Sequence, residues 1–205
     1  MEHPGIVEIL GIAGSVSLLS GWRLYLTALA TGLAMHFQVL PLPEHLQSLQ
    51  VLANPWVMGV AGLAAFMEFF ADKVLWLDSI WDSVHTFIRP IGGALLTLAV
   101  IDPADPATQA IAFILGGGAS LLAHGGKASA RAVVNTSPEP FSNVAVSTVE
   151  DVATTGMLYL AYSHPVAAGV VAMVLLVLAV FLMVMAWRVF RRIYLKVQPE
   201  PAKEV

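Results

Sequence analysis

The stretch from Val166 to Trp187, VAAGVVAMVLLVLAVFLMVMAW, decides the fold of this chain because it contains no charged residue. About 20 consecutive apolar residues in a helix span the hydrocarbon core of a bilayer. This run therefore predicts a transmembrane helix. Basic residues follow it directly at Arg188, Arg191 and Arg192, and such residues are typical of the cytoplasmic end of a span.

The composition of the whole chain agrees with a membrane protein. Of its 205 residues, 58% are apolar and 12% are charged, whereas soluble domains carry about 25% charged residues. There is no cysteine, which excludes a disulfide framework, a thiolate metal site and a cysteine nucleophile. The first residues lack the basic segment of a signal peptide, so we expect no cleaved leader. We expect one integral membrane domain over residues 1–205.

Five further apolar stretches lie upstream, separated by loops rich in proline or in charged residues. The fold class is therefore all-α. We predict a polytopic membrane protein with about six transmembrane helices, at about 6–37, 53–72, 79–101, 107–123, 147–162 and 166–187, and with a cytoplasmic tail at 188–205.

The lysine and arginine residues predict the orientation of these spans. With six spans, all lysine and arginine residues except Arg23 lie on one side of the membrane. These residues are Lys73, Arg89, Lys127, Arg131, Arg188, Arg191, Arg192, Lys196 and Lys203. The loops on the other side, at about 38–52, 102–106 and 163–165, contain no lysine or arginine. Because positive loops face the cytoplasm, both termini are expected there.

A weak internal repeat relates two predicted helical hairpins. Ser79 to Thr86 (SIWDSVHT) matches Ser147 to Thr154 (STVEDVAT) in its serine, acidic, valine and threonine positions. Upstream of these segments, GLAA from Gly62 and GGGA from Gly116 each precede a lysine. The pattern indicates parallel repeats related by an axis along the membrane normal. The alternative is coincidence, because small residues are common in membrane helices.

The first polar cluster surrounds the predicted third helix and comprises Glu68, Asp72, Lys73, Asp78, Asp82, His85 and Arg89. Helical spacing places the last four of them on one face. Carboxylates and a histidine together can bind a hard cation or relay protons. Alternatively, Asp78 and Asp82 face water, with Ser79 and Asp82 forming a capping box. Glu68 lies within an apolar run and needs a partner, a cavity or a proton.

The second cluster is a cationic stripe at helical spacing, formed by His124, Lys127, Arg131 and Asn135. Such a stripe can hold an anion, for instance a lipid phosphate. The alternative for the lysine and the arginine is anchoring at the cytoplasmic interface. The alternative for His124 is an interfacial residue that binds no anion.

Glu150 and Asp151 form a third group near the predicted start of the fifth helix. Ser147 and Glu150 fit a capping box, although Glu150 can also pair with Arg89, Lys127 or Arg131 across a polar centre. Arg23 follows a Ser-Gly-Trp segment where the first helix can break. It is either a snorkelling residue or a counter-ion for Glu68 or Asp72.

Recognisable catalytic motifs are absent from the sequence, including the nucleophile elbow, the Walker loop and HExxH. Six segments are distinctive: SGWRLYLT from Ser20, EFFADK from Glu68, IRPIGGA from Ile88, HGGKASAR from His124, NTSP from Asn135 and SN at Ser142. Together they resemble a bacterial family of small multi-pass membrane proteins, the domain of unknown function four-one-two-six. The resemblance implies a bacterial inner-membrane protein and implies no activity.

These observations predict a small transporter or channel-like protein with a polar site toward the cytoplasmic side. Glu68, Asp72 and Asp82 would be cation or proton sites, and Arg23, Lys127 and Arg131 would be counter-charges or would hold an anion. The alternatives are a membrane enzyme acting on a lipid headgroup or phosphate, and a non-catalytic scaffold. We expect no cofactor and no nucleic acid. The expected partners are the bilayer, anionic lipid at the basic tail and a second copy in a homodimer.

Overall fold

The computed structural model describes residues 5–39, 44–101, 105–134 and 140–197. Within those ranges the chain is all-helical and has no strand, which confirms the predicted fold class. The elements are α1 (Ile6–His36), a 3-10 helix (Glu44–Ala53), α2 (Pro55–Ala71), α3 (Leu75–Ile101), α4 (Pro106–Val134), α5 (Pro140–Ser163) and α6 (Pro165–Val197).

Four of the helices begin at a proline, namely α2, α4, α5 and α6. Proline suits the first turn of a helix because its missing N–H would have no partner there. At α2, the side chain of Asn54 also accepts a hydrogen bond from the backbone N–H of Trp56, at 2.9 Å, which caps the helix. These prolines explain why α5 starts at Pro140, earlier than the predicted start at 147.

Both predicted capping boxes are wrong, because their residues lie inside helices. Ser79 and Asp82 are within α3, which begins at Leu75, and Ser147 and Glu150 are within α5. At those positions the backbone N–H groups already have helical partners, so no cap is needed. Helix α6 continues through the basic residues to Val197, so the first part of the segment predicted as a cytoplasmic tail is helical.

Helix α1 lies at the centre of the bundle and packs against each of the other helices. Its glycines permit this close packing. A Cβ atom at Gly11 would overlap the carbonyl of Pro165, and one at Gly32 would overlap the carbonyl of Leu52. Small residues of α1 are therefore used for helix packing inside the bundle.

The outer surface of the bundle is apolar. Large exposed side chains cover α2 and α6, with Trp56 at 85% and Trp187 at 67% exposure. Such a surface needs lipid around it. Four helices, α1, α3, α4 and α6, are long and apolar enough to cross a membrane, and the 3-10 helix with α2 forms a fifth candidate bent by 75°. These helices indicate a multi-pass membrane protein.

The contact between α1 and α4 gives a first testable prediction. A Cβ atom at Gly21 would lie 2.8 Å from the Cβ of Ala123 and overlap the carbonyl of Ser120, whereas Gly14 has open space. We expect Gly21→Ala to lower the free energy of unfolding by about 1–3 kcal/mol. Gly14→Ala is the matched control on the same helix and should be neutral or stabilising by up to about 1 kcal/mol. Thermal unfolding in detergent measures both, and equal effects would contradict the packing.

Candidate functional site

Most of the charged residues selected from the sequence lie in the interior of the bundle. Lys73, Glu150 and Asp151 are partly buried, and Asn135 lies outside the described residues. The others are buried, namely Arg23, Glu68, Asp72, Asp78, Asp82, His85, Arg89, His124, Lys127 and Arg131. The interpretation of these groups as solvated interfacial charges is therefore wrong for the buried set.

Helix α1 is interrupted at Arg23, whose backbone dihedral angles are φ −144° and ψ 74°. The guanidinium forms an ion pair with Asp72, which is one of the two partners considered from the sequence. It also donates hydrogen bonds to the carbonyl oxygen and the Oγ of Ser147, at 3.0 and 2.9 Å. Its distance to Asp151 is 3.1 Å. Arg23 thus joins α1 to α5 and to the end of α2.

One carboxylate oxygen of Asp72 contacts three cationic side chains. Besides Arg23, the Nζ of Lys127 lies 3.1 Å away and an Nη of Arg131 lies 3.3 Å away. The same nitrogen of Arg131 lies 3.0 Å from Glu150, and Lys127 lies 3.6 Å from Glu150. We call these groups the Asp72 cluster; its three cations and three carboxylates are Arg23, Lys127, Arg131, Asp72, Glu150 and Asp151. Its formal charges balance.

Asp72 lies just beyond the end of α2, and its surroundings perturb its acidity. Burial alone would raise the pKa of this carboxyl. The nearby cations of Lys127, Arg23 and Arg131 outweigh burial and hold the pKa below its ordinary value of 3.8. The neighbouring Lys73 shows the opposite balance, because burial lowers its pKa despite the charge of Asp151. Asp72 is therefore a charged carboxylate at neutral pH.

A second group surrounds Arg89, which is fully buried. One Nη donates to Glu68 at 2.7 Å, and the other donates to Asp82 at 3.2 Å and to Nδ1 of His124 at 2.6 Å. We call Arg89, Glu68, Asp82 and His124 the Arg89 cluster, and the two clusters together the ionic core. Here two carboxylates share one cation.

The tautomer of His124 follows from its partners. A guanidinium only donates hydrogen bonds, so Nδ1 of His124 must accept from Arg89. The ring proton is then on Nε2, which lies 3.1 Å from the carbonyl oxygen of Asp82 and 3.0 Å from the hydroxyl of Thr86. His124 is therefore neutral in this arrangement and does not offset the second carboxylate.

Glu68 has one oxygen without a partner. Its Oε1 accepts from Arg89, whereas Oε2 is buried and has no hydrogen-bond partner among the described residues. The side chain is 1% exposed. An ionised carboxylate with an unsatisfied buried oxygen is costly.

A polar cavity of about 200 Å³ lies between α3 and α4. Its lining residues are Asp78, Ser79, Asp82, Ser83, Thr86, Ala128, Arg131 and Ala132. Because Asp82 belongs to the Arg89 cluster and Arg131 to the Asp72 cluster, this cavity reaches both halves of the ionic core.

Aromatic side chains flank the Arg89 cluster. The Nδ1 of His85 donates to the carbonyl of Trp81 at 2.7 Å, so its Nε2 accepts from the hydroxyl of Tyr25 at 3.0 Å. Trp81 stacks on the same imidazole, with ring centroids 4.3 Å apart. His85 is thus engaged with aromatic neighbours and is not a partner of the carboxylates.

Sequence reasoning missed several polar side chains of the core, including Tyr25, Thr86 and Asn143. Asn143 accepts a hydrogen bond from Arg131 through its side-chain oxygen. A usable signal was present, because Asn143, Ser147, Glu150 and Thr154 share one face of α5 at helical spacing. Three of these four are fully buried.

The arrangement limits the chemistry available at the core. Carboxylates of the Asp72 cluster already occupy the positions where Lys127 and Arg131 would hold a phosphate. Among the described residues, no group of three histidine or acidic side chains is placed to hold a metal ion. Buried carboxylate oxygens without a hydrogen-bond partner among the described residues remain at Glu68 and Asp72.

Comparison with known proteins assigns this chain to a family. No curated protein and no solved structure matches the chain. A family model described as a domain of unknown function, DUF4126, matches residues 10–185. The match extends from α1 into α6 and includes both clusters of the ionic core. The chain therefore belongs to the DUF4126 family of unknown function.

Proposed function

We propose that this chain is a small transporter or channel-like membrane protein whose ionic core is the working site. The observation that carries the proposal is Arg23, which sits at a break in the central helix and pairs with the buried Asp72. Transporters commonly place ion and substrate sites at such discontinuous helices. Ionisable residues inside spans are expensive and are functional by default.

The roles of the individual groups follow from their partners. Glu68 and Asp82 compete for Arg89 and are the best candidates for a proton or cation site. Asp72 contacts three cations through one oxygen, so its role is to hold the counter-charges of Arg23, Lys127 and Arg131. An anionic substrate would have to displace Asp72 or Glu150. This requirement disfavours an enzyme acting on a lipid phosphate.

We propose six spans with both termini in the cytoplasm. They are the five apolar candidates together with α5. Its polar residues account for its absence from the apolar candidates, because Asn143, Ser147 and Thr154 are buried inside the bundle. Arg89, Lys127 and Arg131 are neutralised in ion pairs, so the exposed Arg188, Arg191 and Arg192 carry most of the positive-inside signal. We propose the inner membrane of a bacterium as the location.

This topology can be tested by thiol labelling, since the chain has no native cysteine. In intact cells, an impermeant reagent should label Asp105→Cys from outside. It should label Arg192→Cys only after the membrane is opened. Labelling of both positions from outside would contradict the topology.

The proposed repeat pairs α2 and α3 with α4 and α5. In support of it, the equivalent acids Asp82 and Glu150 each contact a buried arginine, Arg89 and Arg131 respectively. Each first helix also supplies a polar side chain to the core, Glu68 from α2 and Lys127 from α4.

Anionic lipid is the proposed partner at the end of α6. A groove of about 730 Å³ between α4 and α6 has Arg188 and Arg191 at its rim and Met183, Trp187 and Phe190 along its wall. Basic residues next to an apolar wall suit a lipid headgroup and its chain. A homodimer remains a further proposal, with a surface other than α1.

The transport proposal is tested with purified protein in liposomes of defined lipid. Wild type should move protons, a monovalent cation or a solute from a panel across the membrane. Glu68→Gln should reduce that flux at least about tenfold, as expected when a group acting in the transport step is lost. Asp105→Asn is the matched control, because its side chain is exposed and lies outside the ionic core. The proposal fails if wild type moves none of the panel.

A structural subunit is the second candidate, favoured by the balanced charges of the Asp72 cluster. Such a cluster can hold helices together without handling a ligand. In that case wild type would move nothing, and affinity purification would recover a defined membrane partner. Variants of Glu68 that fold normally would retain this partner.

A further inference from the structure

The charges of the ionic core do not balance, and the imbalance is located at Glu68. Near Glu68 lie Arg89 and Asp82 on α3, Lys127 and His124 on α4, Arg23 and Tyr25 on α1, and Asp72 after α2. Of these, Arg23 and Lys127 are engaged by the carboxylates of the Asp72 cluster. Arg89 alone must then serve both Glu68 and Asp82, and His124 is neutral.

Burial makes this imbalance costly. Glu68 is 1% exposed and its Oε2 has no hydrogen-bond partner among the described residues. A protonated carboxyl is far cheaper to bury than an ion with an unsatisfied oxygen. Two acids that share one site with insufficient counter-charge commonly retain one proton between them.

The two carboxylates differ in access to water. Asp82 lines the cavity of about 200 Å³ between α3 and α4, whereas Glu68 does not. A cavity of that size can admit several water molecules, each of which occupies about 30 Å³. Asp82 thus has space for water beside its carboxylate, whereas Glu68 does not line this cavity.

We propose that the Arg89 cluster binds one exchangeable proton, held on Oε2 of Glu68 instead of on Asp82, which lines the α3–α4 cavity. The proton adds to one carboxylate oxygen and leaves to a water molecule, so no other bond changes. Only the role of this proton as a coupling ion rests on the proposed transport function. The proton site itself is independent of transport.

Infrared difference spectroscopy tests the proposal directly. The carboxyl C=O stretch of a protonated acid is separate from the carboxylate bands and shifts in heavy water. Wild type in nanodiscs at neutral pH should show one such band. The band should disappear in Glu68→Gln and persist in Glu8→Gln, a matched substitution at the start of α1 and outside the ionic core.

Asp82→Asn provides the second variant. It leaves Arg89 and Glu68 as a balanced pair, so Glu68 should release its proton and the band should again disappear. Size-exclusion chromatography and circular dichroism establish that each variant is folded. A wild-type spectrum without the band, or a band that survives either substitution in folded protein, overturns the proposal. If the band is present and no flux is found, only the transport proposal fails; if flux occurs without the band, only the proton site fails.

Discussion

Replacing Asp72 with asparagine is expected to lower the free energy of unfolding by about 3–5 kcal/mol, the usual cost of breaking a buried ion pair. The substitution preserves shape and removes the one charge shared by Arg23, Lys127 and Arg131. Three cations would then depend on Glu150 and Asp151. Denaturant titration in detergent, followed by circular dichroism, measures the loss.

The effect of Asp72→Asn should depend on pH with a defined sign. The pKa of Asp72 is below 3.8 in the folded protein, as its neighbouring cations outweigh burial. The stability that this carboxylate contributes is therefore complete above the ordinary pKa and is lost as the pH falls through the lower, folded value. Wild type and variant should converge in acid. A difference that stays constant from neutral pH down to about pH 3 would contradict this assignment.

Asp105→Asn is the control for Asp72→Asn. Asp105 is exposed, and its side chain accepts a hydrogen bond from the backbone N–H of Thr108 at 2.9 Å near the start of α4. Asparagine caps a helix as well as aspartate does, so Asp105→Asn should be nearly neutral. If the two variants are equally destabilised, the three-cation contact does not stabilise the bundle.

Arg89→Gln is expected to be the other severely destabilising substitution, again by about 3–5 kcal/mol. It would leave Glu68 and Asp82 buried without a cation. It would also remove the donor to His124. Because the damage comes from uncompensated negative charge on the carboxylate that Arg89 pairs, adding Asp82→Asn to Arg89→Gln should recover part of the lost stability.

A double-mutant cycle distinguishes this account from simple loss of packing. The cycle comprises wild type, Arg89→Gln, Asp82→Asn and the double variant, each measured under the same detergent conditions. Contacting groups commonly show interaction energies of about 0.5–3 kcal/mol. Additive effects within about 0.3–0.5 kcal/mol would mean that Arg89 and Asp82 do not interact in the folded protein.

The multi-pass membrane character was readable from the sequence because it depends on length and composition alone. An uncharged run such as residues 166–187 has few alternatives to a membrane helix. The helical spacing of Asp82 with Arg89, and of Lys127 with Arg131, also placed each pair on one face. In the structure, all four of these side chains are buried.

The pairing of the charges could not be predicted, because it depends on how helices from distant parts of the chain pack. The sequence offered Glu68 and Asp72 as equal partners for Arg23, and only packing brings the break in α1 against the end of α2. The burial of Lys127 and Arg131 was missed for a related reason. Their positions equally suited interfacial anchors, and the polar face of α5 that encloses them was interpreted partly as a loop.

The central claim is that these charges meet in a closed core instead of facing water on separate surfaces. Ser147 tests it best, because it is fully buried and contacts Arg23 and Lys73. In nanodiscs, Ser147→Cys should react with an impermeant thiol reagent at least about a hundredfold more slowly than the exposed Asp105→Cys, since labelling requires local opening. Equal reaction rates in folded protein would contradict the closed core.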